Sequence, residues 1–281
     1  MTRAGTIALT SVAMIAFAAN SVLCRVALTR TDIDPAVFTL VRIASGAVTL
    51  AAIAAVARRG RKMGGGWPAA FALFAYAAAF SFAYLSLSAG AGALILFGAV
   101  QATMVVTGIV RGEHLAPGQW LGLAVAITGL VALVAPGVSA PPLGGAALMA
   151  AAGAAWGAYS IMGRRAADPL AATAGNFLRA VPMALALAVV AAGRATPPAP
   201  GILYAVASGA AASGLGYTIW YAALPGLGAA EAASVQLSVP VIAALGGTIF
   251  LAETISVRLA LAAAAGLGGI ALVIASRPGR R

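Results

Sequence analysis

Ten apolar stretches, near 7–27, 36–57, 68–87, 91–110, 118–136, 143–163, 170–192, 201–223, 230–251 and 257–276, follow one another with only short connectors between them. About 20 apolar residues are what an α-helix needs to cross the hydrocarbon core of a bilayer. No water is available there to satisfy backbone N–H and C=O groups, so a spanning segment must be a helix or part of a closed barrel. Hydrophobic residues make up 62% of the chain and charged residues 8%, against roughly a quarter charged in soluble domains, so the solvent for most of the surface is lipid. The connectors are too short and too apolar to form a soluble domain. An all-α integral membrane protein with ten transmembrane helices is therefore expected.

The net charge of +11 would suggest nucleic acid in a soluble chain, but here the basic residues gather in short loops at alternate span ends. With the N-terminus inside, the inner segments carry Arg3, Arg58, Arg59, Arg61, Lys62, Arg111, Arg164, Arg165, Arg277, Arg280 and Arg281, and the outer ones Arg25, Arg30, Arg194 and Arg258. Eleven against four is the asymmetry that orients a membrane protein, and it predicts both termini in the cytoplasm. The basic start and apolar run of MTRAGTIALTSVAMIAFAAN also fit a cleaved leader. Asn20 and Arg25 beyond that run, and a counterpart later in the chain, predict a first span instead. The single cysteine, Cys24, excludes an internal disulfide and reads as a small core side chain.

The order of residues repeats. Asp34-Pro35 and Asp168-Pro169 each open a span that then carries an arginine, Arg42 and Arg179; Glu113 and Glu253 end the fourth and ninth spans; Tyr84 matches Tyr221. Two halves, 1–137 and 138–281, then contain five spans each. Five is odd, so the halves must insert with opposite orientation, as two inverted five-helix repeats whose site lies between them near the bilayer midplane.

These segments resemble the EamA-type transporters of the drug/metabolite transporter superfamily. The resemblance rests on DPAVFTLVR and DPLAATAGNFLR, on the span ends RGEHL and LAETI, on Trp156-Gly157, and on YTIWYAALPGLGAAEAASVQLSVPVIAALGG. The first half departs from the second at Phe17-Ala18, where the second has Trp156-Gly157, and at Val100, opposite Pro240. The resemblance implies a ten-span inner-membrane carrier of small metabolites, without a cofactor and with no nucleic-acid partner; a homodimer is left open.

Arginine inside a span costs at least roughly 2.5–3.5 kcal/mol on insertion scales, so Arg42 and Arg179 each need a reason. Arg42 lies about two turns from the outer end of its span and could snorkel to the headgroups. Arg179 lies nearer the midplane, where facing a cavity is the expectation, with Asn176 on the same helical face. Asn20, Gln101 and Gln236 are further polar groups in apolar spans, able to meet a substrate or to bond helices together. Tyr217, Trp220 and Tyr221 share one face, and Trp156 with Tyr159 another; they could wall a cavity or belong to the interfacial belt, Tyr221 above all. Pro240 removes a donor at mid-span and frees the carbonyl of Gln236 toward a ligand, or kinks the helix for packing. Gly214 and Gly216 allow bending or close packing. Glu231 begins a span, where a carboxylate suits the helix dipole, yet it is the acid closest to the proposed cavity and the one candidate proton carrier.

An intramembrane enzyme would need parts that the sequence lacks. There is no pair of mid-span aspartates, no His-Glu-x-x-His, no serine with a lysine or histidine inside spans and no His/Cys cluster; His114 stands by itself. No catalytic or metal-ligating residue is assigned. A substrate-free scaffold or regulator remains the other alternative to a carrier of a small zwitterion or anion.

Overall fold

The computed structural model describes residues 2–58, 63–112, 114–137, 140–164, 166–191, 193 and 196–276. Arg59, Arg61, Lys62, Glu113, Arg165, Arg194, Arg277, Arg280 and Arg281 lie outside the described residues. Helices account for all regular structure among those described: α1 (Arg3–Arg30), α2 (Pro35–Arg58), α3 (Trp67–Ala83), α4 (Ala89–Val110), α5 (Pro117–Val134), α6 (Leu143–Gly163), α7 (Pro169–Ala191), α8 (Ala199–Val206), α9 (Gly216–Ala223), α10 (Ala229–Val235), α11 (Ser238–Leu251) and α12 (Val257–Ala275). A π-helix, Ala207–Leu215, joins α8 to α9, and a 3₁₀ turn, Leu224–Gly226, follows α9. Among the described residues nine segments are long and apolar enough to cross a membrane; α3, with 17 residues, is a shorter apolar helix.

Local chemistry sets the starts. Asp34 and Asp168 are N-caps: Asp34 Oδ1 accepts from the Ala36 amide at 2.7 Å and Asp168 Oδ1 from the Ala171 amide at 3.0 Å, with proline at the first helical position in both cases. Thr2, Ser88 and Ser256 cap α1, α4 and α12 in the same way.

Three spans differ from uniform helices. The third stops at Ala83 instead of continuing to residue 87, because the carbonyls of Tyr84 and Leu85 turn aside to accept from Arg25 Nη1 at 2.8 and 3.1 Å. The eighth widens into the π-helix, where Ser208 and Gly209 face α1 and α2. The ninth breaks at Gln236 and Leu237 into α10 and α11. Pro240, expected as a mid-span kink, sits instead in the first turn of α11, where a missing N–H costs least. The Gln236 carbonyl is not free: it accepts from the Val239 amide at 3.1 Å.

Lateral packing pairs α5 with α12, α2 with α7, α3 with α6, and α1 with the eighth span, while α4 packs on α6 and on α11. Small residues make this possible. At Gly209 a side chain would overlap the Arg42 carbonyl oxygen and Ser45 Oγ, so α2 and the π-helix touch backbone to backbone. Arg258 at the start of α12 donates to the carbonyls of Leu133 and Ala135, closing the end of α5.

Candidate functional site

Five spans bring aromatic rings together in the interior. Tyr217 stands at the centre, 5.5 Å from Phe17, 5.5 Å from Trp156 and 6.1 Å from Phe177 between ring centroids. Phe17 and Trp156 flank Tyr217 at the same distance. Trp156 also packs on Tyr76 (4.8 Å) and Tyr159 (5.2 Å), and Trp220 meets Phe17 edge-on at 6.2 Å. Phe80 continues the series between Tyr76 and Tyr84. Such offset and edge-on arrangements suit the ring quadrupoles.

Arg42 lies inside this aromatic group, 3% exposed. Its guanidinium carbon is 5.2 Å from the Tyr76 ring centroid and 4.7 Å from that of Phe80, within cation–π range. Arg42 Nη2 donates to the Tyr76 hydroxyl at 2.9 Å, which also accepts from Asn20 Nδ2 at 3.3 Å; Asn20 Oδ1 in turn accepts from Ser208 Oγ at 2.5 Å. Arg42 Nη1 has no hydrogen-bond partner. The arginine therefore does not snorkel. Seven residues into α2, about 10 Å from its start, it is held inward by rings on α3 and by the close approach of the π-helix at Gly209.

Arg179 is placed differently. Its Nη1 donates to the carbonyls of Gly64 and Gly175, both at 2.9 Å, and Asn176 Oδ1 accepts from the Gly66 amide at 2.9 Å. Helical side chains lean toward the helix N-terminus, which here carries the Arg179 head toward the α2–α3 connector. Gly64 to Gly66 lie along the first turns of α7, where a side chain on Gly65 (φ +83°) or Gly175 would strike Asn176 Oδ1 or the Gly64 carbonyl. Arg179 and Asn176 thus staple a glycine loop to α7.

The remaining candidates divide. Asn20, Tyr159, Trp156, Tyr217 and Trp220 join the group around Arg42, and Tyr221 is tied to it, its hydroxyl 2.8 Å from Thr173 Oγ1, itself 3.4 Å from the Tyr159 hydroxyl. Gln101 lines a groove between α4, α5 and α12, Pro240 lines one between α4, α11 and α12, and Gln236 Nε2 bonds to the Ala232 carbonyl within its own helix. Gly214 packs on Thr49 and Gly216 on Ala16. Glu231 accepts from the Gly228 amide at 2.8 Å as a helix cap and is exposed.

Two features escaped the sequence reading. Tyr76 and Phe80 hold the arginine; their i, i+4 spacing, continued by Tyr84, was a legible stripe. The other is a latch: Glu253 Oε1 accepts from Arg25 Nε at 3.1 Å and its Oε2 from the Ala89 amide at 2.8 Å, joining α1, α4 and the end of α11. Residues 228 positions apart carry no local signal of this kind.

A bundle of apolar helices around a buried arginine and a ring of aromatics defines a polytopic membrane protein with an internal polar site. The profile of the EamA-like transporter family matches residues 143–275. The chain is 54% identical over 276 residues to an uncharacterized protein of Pseudomonas aeruginosa, covering 98% of this chain and 96% of that one. One crystal structure superposes on the fold with a TM-score of 0.67 at 21% identity, covering 96% of both chains. The chain belongs to the EamA-like transporter family, a family of membrane transporters within the drug/metabolite transporter superfamily.

Proposed function

We propose that the protein is a secondary transporter of the bacterial inner membrane that exports a small metabolite, such as an amino acid or a related zwitterion or anion, by alternating access. Both termini face the cytoplasm in this reading, and residues 1–137 and 138–281 form the two inverted repeats. The observation that carries it is the buried polar and aromatic cluster around Arg42. It is built by α1, α2 and α3 from the first half and α6, α7 and the eighth span from the second, and it is linked across them by the chain Arg42–Tyr76–Asn20–Ser208. A polar site between two halves near mid-membrane is where a rocking carrier holds its cargo. The pairing of α2 with α7 and of α5 with α12, each with its counterpart in the other half, supports the repeat.

The test compares the metabolites released by cells with and without the protein, followed by flux of the enriched compounds in proteoliposomes. Export that disappears in Trp156→Ala or Tyr217→Ala proteins of normal abundance is expected. Identical exometabolomes and no flux would favour the scaffold or regulator.

A further inference from the structure

We propose that the site around Arg42 takes a monoanionic carboxylate, seated on Arg42 with its apolar part against the aromatic rings, and discriminates against zwitterions. This rests on the reading of the Arg42 cluster as the transport site and narrows its cargo from zwitterions and anions to anions. Arg42 Nη1 is a buried donor without a partner, in a residue only 3% exposed. A guanidinium presents planar paired donors that match a carboxylate, so the open Nη1 can supply a charge-assisted bond that none of the described residues takes up. The neighbouring Nη2 is already taken by Tyr76.

The charge balance then selects the substrate. No carboxylate pairs with Arg42 among the described residues. Asp34 and Asp168 cap helices, Asp32 is exposed, Glu231 caps α10, and Glu253 is held by Arg25 and the Ala89 amide. The buried site therefore carries one positive charge, eased by the faces of Tyr76 and Phe80 and by the Tyr76 hydroxyl. A monoanion brings the occupied site to neutrality in a medium where an uncompensated charge is costly. A zwitterion leaves the same net charge and adds an ammonium group within a few ångströms of the guanidinium, with no acidic side chain among the described residues there to receive it. An organic cation doubles the charge. Arg179, whose Nη1 is satisfied by two carbonyls, has no such call on a substrate.

Three probes of one skeleton separate these cases: 3-phenylpropionate (anion), phenylalanine (zwitterion) and 3-phenylpropylamine (cation). Binding to the purified full-length protein in nanodiscs is read by quenching of tryptophan fluorescence, to which Trp156 and Trp220 contribute from the cluster, and by calorimetry. The expected result is saturable binding of 3-phenylpropionate, with phenylalanine at least tenfold weaker and the amine weaker still. Arg42→Gln should lose tenfold or more for the carboxylate alone, Arg42→Lys should fall between, and Arg179→Gln should match wild type. The wild-type ranking does not depend on whether any variant folds. Phenylalanine or the amine binding as tightly as the carboxylate, no binding by the carboxylate, or undiminished binding by folded Arg42→Gln would each overturn the proposal. Metabolite flux without preference for the anion would overturn the anion site and leave the transporter standing; a bound carboxylate with no flux of any compound would do the reverse.

Discussion

Replacing Glu253 should loosen the joined ends of α1, α4 and α11 together. Its carboxylate makes two charge-assisted contacts, to Arg25 Nε at 3.1 Å and to the Ala89 amide at 2.8 Å, and the paired side chains are 17% and 19% exposed. Hydrogen bonds to charged groups contribute about 1.5–3 kcal/mol each. Partial exposure reduces that value, so Glu253→Ala is expected to cost about 2–4 kcal/mol. Glu253→Gln keeps an oxygen for the Ala89 amide and should cost roughly half as much, about 1–2 kcal/mol. Charge reversal, Arg25→Glu with Glu253→Arg, tests the geometry more sharply. The new carboxylate would face the carbonyls of Tyr84 and Leu85, which now accept from Arg25 Nη1, and the new guanidinium would face the Ala89 N–H at the start of α4, where a cation is disfavoured. The reversed pair should therefore be less stable than Glu253→Gln, although the two charges still attract. Unfolding in mixed micelles of rising SDS fraction, followed by tryptophan fluorescence, gives the ranking. A reversed pair as stable as wild type would refute the reasoning, because it would mean that the backbone contacts contribute nothing.

Ala252 adopts a left-handed conformation (φ 56°, ψ 28°) at the end of α11, which costs an L-residue roughly 1–2 kcal/mol. Ala252→Gly should thus stabilise by about 0.5–1 kcal/mol in the same assay after the entropic cost of glycine; a loss would count against that backbone geometry. Gly209→Ala should lower the yield of folded protein severely and abolish transport, since the methyl has no room against Arg42 and Ser45, whereas Gly144→Ala, with open space around it, should be silent in size-exclusion profiles. Reporter fusions at Lys62 and Pro198 should report the cytoplasm and the outside respectively, as the eleven-to-four charge asymmetry requires; the same side for both would break the inverted repeat.

What the sequence determined is what one segment decides in its own surroundings. Whether a stretch such as 91–110 lies in lipid depends on its summed transfer free energy, and where α2 and α7 begin depends on an aspartate and a proline side by side; both are legible without knowing any neighbour. The membership of Asn20, Trp156, Tyr159, Tyr217 and Trp220 in one interior cluster was legible in kind, because polar and aromatic side chains inside spans need a shared reason. The assignment of the two arginines was not. Judged by the position of its Cα, Arg179 looked deeper than Arg42; the side chain of Arg179 leans back to the Gly64 carbonyl, and that of Arg42 is covered by Tyr76 and Phe80 from a different helix. Gln101 and Gln236 show the same limit, since an amide in a span meets either a chamber or its own helix and the sequence holds no term for the choice. The Arg25–Glu253 latch and the contact of Gly209 with α2 belong to tertiary structure alone. They are pair energies between segments far apart in the chain, fixed only when the helices have packed and the left-handed turn at Ala252 has aimed the carboxylate back across α4.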